Sequence, residues 1–265
     1  MKKNSLILIM ITLLTLLTVM SIAVYAADDS LHEIKEEGKF IVGLDDSFPP
    51  MGFRDDNGDI VGFDIDLAKE TAKRMGVEVE FKPVEWDGIL MSLKSGIIDV
   101  IWNGLTITEK RAKEISFSDV YLENSQIIVV QNDSEINTKA DLDGKIVGLQ
   151  LGSSSVSALN SEPEVVETLK EVRKFSNNTE ALMDLQTGRI NAVVVDEIVG
   201  RYYISKKPGV FRVLEENFGK ETYGVGIRKE DVSFMNEINR ILDEMKADGG
   251  AKKISEKWFG EDIVK

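Results

Sequence analysis

The chain has no cysteine. Disulfides, thiolate metal sites and cysteine nucleophiles are therefore excluded, as is any lipid anchor attached through a cysteine after an export signal. Its one histidine, His32, lies near the N-terminus, in a stretch expected to be flexible, so Ser-His-Asp triads and histidine-built metal sites lack material. Positive charge is also scarce, with 32 Lys and Arg against 46 Asp and Glu and a net charge of −14. Such an acidic balance argues against nucleic acid or an anionic membrane as partner. The carboxylates are numerous, yet the sequence marks no working acid/base pair among them. Nothing calls for a cofactor or a metal.

What is present begins with an apolar N-terminus. Lys2 and Lys3 precede an uncharged run from Leu6 to Met20, and small residues surround Tyr25 up to Ala26. That order is expected of a cleaved secretory signal over residues 1–26, with a single spanning helix as the rival reading. The remainder, in a chain that is 43% hydrophobic, has material for two lobes of ~100 residues each.

From Lys39 onward, short apolar runs alternate with amphipathic stretches, the pattern of an α/β fold with mostly parallel sheets flanked by helices. Phe40–Leu44 predicts a buried strand. Ile65, Ala68, Ala72 and Met75 share one helical face, which Gly76 ends. Val77–Phe81 alternates as a half-buried strand, Asp87 is a candidate cap for a helix carrying Ile89, Leu90 and Leu93, and Gly96 closes that helix before a strand over Ile97–Trp102. Trp258-Phe259-Gly260 predicts a packed helix end.

The chain then repeats itself. Ile41-Val42-Gly43-Leu44 recurs as Ile146-Val147-Gly148-Leu149, and Leu93 to Val100 recurs as Leu185 to Ala192, with Gly96 matching Gly188, Ile98 matching Ile190 and Asp99 matching Asn191. Two matches in the same order predict two similar lobes. Lobe one carries about 13 extra residues between the matches, and the turn-rich Arg54–Gly58 is the place for them, as a hairpin. In open α/β sheets ligands bind beyond the carboxyl ends of strands. The repeat places Asp45 to Phe48 and Asn103-Gly104 of lobe one opposite Gln150 to Ser153 and Val195-Asp196 of lobe two, around one cleft.

Several residues there invite chemistry, each against a plainer alternative. Thr108 is a candidate N-cap, which sets Lys110 and Arg111 in a first helical turn, where the macrodipole disfavours each cation by ~0.3–1 kcal/mol. A bound carboxylate would compensate for Arg111; an exposed pairing with Glu114 is the alternative. Gly152-Ser153-Ser154-Ser155 could grip an anion or simply start a helix, and it lacks the Lys-Ser/Thr of a P-loop. Asp196 ends the apolar run Ala192–Val195 as either a helix cap or a cation ligand. Phe48 and Trp86 are loop aromatics open to packing or to ligand contact.

With these motifs in hand, the sequence resembles the polar amino-acid class of periplasmic solute-binding proteins, the family 3 receptors of ABC importers. The likeness spans Phe40 to Phe259 and rests on Gly43-Leu-Asp45-Asp-Ser-Phe48-Pro-Pro, Val61-Gly-Phe-Asp64-Ile-Asp66-Leu-Ala, Glu85-Trp86-Asp-Gly, Asn103-Gly-Leu-Thr106-Ile-Thr-Glu-Lys-Arg111, Leu151-Gly-Ser153-Ser154, Val195-Asp196 and Lys257-Trp-Phe-Gly260. The resemblance implies a two-lobed type II periplasmic-binding-protein fold. Lobe one would comprise residues 27–120 and 224–265, lobe two residues 126–218, and the hinge residues 121–125 and 219–223. It implies that Arg111 forks the ligand α-carboxylate, aided by the Gly104 amide, the Thr106 hydroxyl and the Ser154 amide or hydroxyl, with Ser153 also in the site. Asp196 and the Gly104 carbonyl would take the α-ammonium, Phe48 and Trp86 would sandwich the ligand, and Asp45, Asn103 and Gln150 would read its side chain. Asp45 suits ligands whose side chains donate hydrogen bonds. The expected partners are a free amino acid and a membrane permease, the expected state a monomer and the expected location the periplasm. A dehydratase acting on prephenate or arogenate is the enzymatic alternative on the same scaffold, and a sensor or adhesin without transport is a third.

Overall fold

The computed structural model describes residues 28–265, so the signal expected over 1–26 lies outside the described residues. In chain order the elements of the first part are α1 (Ser30–Glu37), β1 (Lys39–Leu44), β2 (Ser47–Phe48), β3 (Gly52–Arg54), β4 (Ile60–Val61), α2 (Phe63–Met75), β5 (Glu78–Pro83), α3 (Ile89–Lys94), β6 (Val100–Ile101), α4 (Glu109–Ala112) and β7 (Ser116–Phe117). The second part holds β8 (Leu122–Gln131), β9 (Ile146–Gln150), α5 (Ser154–Asn160), α6 (Pro163–Val166), β10 (Glu171–Phe175), α7 (Asn178–Gln186), β11 (Ala192–Asp196), α8 (Glu197–Lys206) and β12 (Phe211–Tyr223). The chain closes with β13 (Gly226–Ile227), α9 (Val232–Ala247) and α10 (Gly250–Phe259).

Two five-stranded sheets form, ordered β5-β1-β6-β13-β7 and β10-β9-β11-β8-β12. In each, three parallel strands precede an antiparallel neighbour: β13 beside β6 in one sheet and β8 beside β11 in the other. The sequence repeat is thus a repeat of strand position, and it extends to packing. Gly43 of β1 faces Ile98, and Gly148 of β9 faces Ile190, so closely that an added Cβ would come within 2.2 Å and 2.5 Å of their methyl ends. The Ile41 amide donates to Asp99 as the Ile146 amide donates to Asn191. A side chain at either position would force the buried isoleucine beside it to shift. Gly43→Ala or Gly148→Ala is expected to cost ~1–3 kcal/mol by overpacking, measured as a drop in the denaturant midpoint with unchanged slope.

The inserted segment is the expected hairpin, part of a small antiparallel sheet ordered β2-β3-β4, turning at Asp55–Asp59. Gly76 ends α2 and Gly96 follows α3, both with left-handed backbone. Three local expectations fail. Asp87 does not cap a helix: a 3₁₀ turn over Trp86–Gly88 leads into α3, whose first residue follows Gly88 with no side-chain cap. The strand over Ile97–Trp102 shrinks to Val100–Ile101, because the Ile97 and Ile98 amides are still turning back onto the Ser92 carbonyl. His32 sits on α1 rather than in a flexible stretch, and α1 is tied to α9 through Ser30 and Ser233.

The C-terminal helix packs as expected. Phe259 meets Phe63 edge-on at 5.1 Å, and the Trp258 indole donates to Asp66 of α2, which Lys257 also pairs. Among the described residues no helix is long and apolar enough to cross a membrane.

Candidate ligand-binding site

Arg111 is where the first sheet presents its charge. Thr108 caps the short helix α4 by accepting from the Arg111 amide, which fixes the backbone that carries the guanidinium. The side chain is only 7% exposed, and burial works against its charge, opposed by the nearby carboxylates of Asp196 and Glu221. Its hydrogen bonds go to carbonyl oxygens, Thr106 at 2.9 Å and Gly152 of the second lobe at 3.2 Å. Arginine has five N–H donors, so most of the fork remains for another acceptor. Among the described residues Arg111 has no ion-pair partner, and the Trp86 ring lies 5.8 Å from its guanidinium carbon.

Asp196 closes the other side. It stands at the N-cap position of α8 but makes no side-chain cap there, so the cap alternative does not hold. Its Oδ1 instead accepts from Asn124 at 2.7 Å and from the Tyr223 hydroxyl at 2.6 Å. Burial pushes its pKa up to about 7, and the neighbouring Glu221 charge adds to the rise.

Phe48 and Trp86 stack with parallel rings 6.3 Å apart, both nearly buried. Gly104 has a left-handed backbone, and a Cβ there would approach Phe48 to 2.8 Å. Its amide donates to Asp64 at 2.7 Å, so the expected amide contact to a ligand carboxylate is already spent and its carbonyl is the group left for a ligand. Asp64 is fully buried, also accepts from the Tyr121 hydroxyl, and has its pKa pushed up to about 7 by burial.

The residues expected to read a side chain are arranged differently from one another. Gln150 faces the cavity and donates to Asp45 at 2.7 Å across the lobes. Asp45 also accepts from the Ser47 amide and hydroxyl, and Asn103 accepts from the Asp45 amide, so these two stand one step behind the cavity wall. Ser153 donates its hydroxyl to the Gln150 carbonyl.

Phe48, Trp86, Gly104, Thr106, Arg111, Gln150, Ser153, Ser154 and Asp196 together enclose a cavity of about 10 Å³, room for roughly one water centre. In this conformation the site has no room for a ligand the size of an amino acid. A far larger cavity of about 970 Å³ is lined by Asn124, Tyr202, Glu221 and Trp258 among others. It touches neither Arg111 nor Asp196, and convergent charge outweighs size in choosing the site. Sequence reasoning missed Glu221, Asn124, Gln126 and the buried Asp64 network. Of these, only Asp64 stood in a quoted motif.

Residues 40–261 match the model of a family described as bacterial extracellular solute-binding proteins, family 3. The chain is 36% identical to the L-cystine-binding protein TcyJ of Escherichia coli strain K12 over 248 residues, 93% of this chain and 92% of that protein. An ABC uptake transporter substrate-binding protein from Streptococcus pneumoniae, solved with bound histidine, superposes with a TM-score of 0.87 at 34% identity, covering 90% of this chain and 99% of that one. An ancestral arginine-binding protein bound to arginine is 46% identical, with a TM-score of 0.79 over 84% of this chain and 99% of that one.

Proposed function

We propose, from the premise that this chain belongs to the bacterial extracellular solute-binding proteins of family 3, that it closes two lobes on a free polar or basic L-amino acid and presents it to the permease of an ABC importer. One observation carries the reading: a buried arginine that has no ion-pair partner among the described residues faces, across the same small cavity, a buried aspartate. An α-amino acid is the small molecule with an anion and a cation on one carbon to match them. Arg111 takes the carboxylate; Asp196 and the Gly104 carbonyl take the ammonium. The rings of Phe48 and Trp86 cover the body between them.

Within this reading, lobe one is 27–120 with 224–265, lobe two is 126–218, and residues 121–125 and 219–223 form the hinge. The N-terminal segment 1–26 directs export to the periplasm, where the protein works as a monomer. Asp45 and Asp196 outnumber Arg111, so the region favours a ligand of net positive charge over an acidic one. The ligands in these relatives' names, cystine, histidine and arginine, are none of them acidic amino acids.

A thermal-shift screen of the twenty amino acids plus cystine and ornithine tests this. The expected result is a dominant shift with a basic, amide-bearing or cystine ligand; a dominant shift with glutamate would refute the charge argument. The second reading, a dehydratase, is favoured by the Asp196 pKa near 7, a value suited to proton transfer in an enclosed site. Incubation with prephenate or arogenate, followed by absorbance of the aromatic product, decides against it if no product forms.

A further inference from the structure

Glu221 lies on β12, opposite Asn124 of β8, where these paired strands run between the two lobes. Its Oε2 accepts from the Thr106 hydroxyl of lobe one at 2.5 Å and from the Ser154 hydroxyl of lobe two at 3.1 Å. Those two hydroxyl oxygens are themselves 3.1 Å apart, and Ser154 also accepts from the Gln126 amide. The same residue also lines the large cavity of about 970 Å³.

Counting hydrogens gives this arrangement a consequence. Each hydroxyl has a single hydrogen to donate. Thr106 and Ser154 therefore supply two hydrogens in all, and Glu221 is placed to receive both. A ligand carboxylate held by Arg111 needs the same two. We propose that Glu221 is an affinity-setting residue: a carboxylate built into the hinge that competes with the ligand's carboxylate for the Thr106 and Ser154 hydrogens, and so holds binding weaker than the rest of the site would allow. The proposal rests on the assignment of Arg111, Thr106 and Ser154 to the ligand carboxylate.

The competition acts at the part of the ligand that all amino acids share. Removing it is expected to tighten binding by a similar factor whatever the side chain. In Glu221→Gln the carboxamide oxygen can still accept both hydroxyl hydrogens, as the single Oε2 does now, but it is a weaker, uncharged acceptor and the like charge facing the ligand is gone. In Glu221→Ala both hydroxyl hydrogens are released.

The test is calorimetric titration of wild type, E221Q and E221A with L-arginine, L-histidine, L-glutamine and L-cystine, alongside R111A and a thermal midpoint for each protein. The expected result is about tenfold lower Kd in E221A and a smaller gain in E221Q, each by the same factor for every probe that binds wild type. A folded E221Q or E221A with unchanged or weaker affinity overturns the proposal, as does a gain confined to one probe. If R111A keeps wild-type affinity, or none of the four probes binds wild type, the site reading itself fails. If R111A loses binding while the Glu221 variants gain nothing, only the role of Glu221 fails.

Discussion

Arg111→Ala is expected to lower amino-acid affinity by about 10²–10³-fold or more while leaving the fold intact. The loss is large because the guanidinium is buried and its remaining donors point at a closed cavity, so a ligand carboxylate left there without it would be desolvated and unpaired. The fold survives because, among the described residues, the Arg111 side chain contributes two hydrogen bonds to carbonyls and one contact with the Trp86 ring, none of them within a strand or helix ladder. The Thr108 cap, which bonds the backbone amide and not the side chain, is kept in the variant. Arg111→Lys is expected to recover only part of the affinity, since an ammonium cannot fork a carboxylate and hold both carbonyls at once. Calorimetric titration with circular dichroism as the folding control checks both.

The second large effect is on stability against pH. Asp64 and Asp196 have folded-state pKa values pushed up to about 7 by burial, against an ordinary value of 3.8. A carboxyl whose folded pKa lies above its unfolded value holds its proton more tightly in the folded protein, so it favours folding at low pH and that advantage is lost as pH rises from about 4 to 7. Each group changes stability by up to ~1.4 kcal/mol per pH unit within that window. The carboxylates held low by ion pairs and hydrogen bonds, such as Glu70, Glu80 and Glu114, titrate beneath it and oppose it only in stronger acid.

Without amino acid, the thermal midpoint is therefore expected to be higher at pH 5.5 than at pH 7.5. The excess negative charge of the chain would produce some rise on acidification by itself. Asp64→Asn separates the two causes: it removes one titrating group and little of the total charge, so its midpoint should change less between the two pH values. A slope equal to wild type would show that Asp64 does not titrate there.

Much of this was legible in the sequence where the information is local or repeated. The Thr108 cap needs only residues 108–111, and the two lobes were announced by a tetrapeptide and an octapeptide that returned in order. The paired glycines 43 and 148 even carried their partners, Ile98 and Ile190, in the same repeat. What stayed hidden depends on pairing between distant strands. Asn124 and Tyr223 reach Asp196 from 72 and 27 residues away, on β8 and β12, where the register of one strand against the other decides which side chains meet. Glu221 was invisible for the same reason: a glutamate in Lys-Glu-Thr-Tyr reads as solvated surface until β12 is laid beside the cleft. Asp87 misled because glycine follows it, and a 3₁₀ turn took the place of a capped helix start.

The central claim, that Arg111 and Asp196 grip the two charged ends of an amino acid, is tested most directly within the thermal-shift screen by pairing each amino acid that shifts the protein with its decarboxylated amine, histamine for histidine or agmatine for arginine. The account predicts a saturable shift with the amino acid and none with the amine at the same concentration. An equal shift from the amine would contradict it.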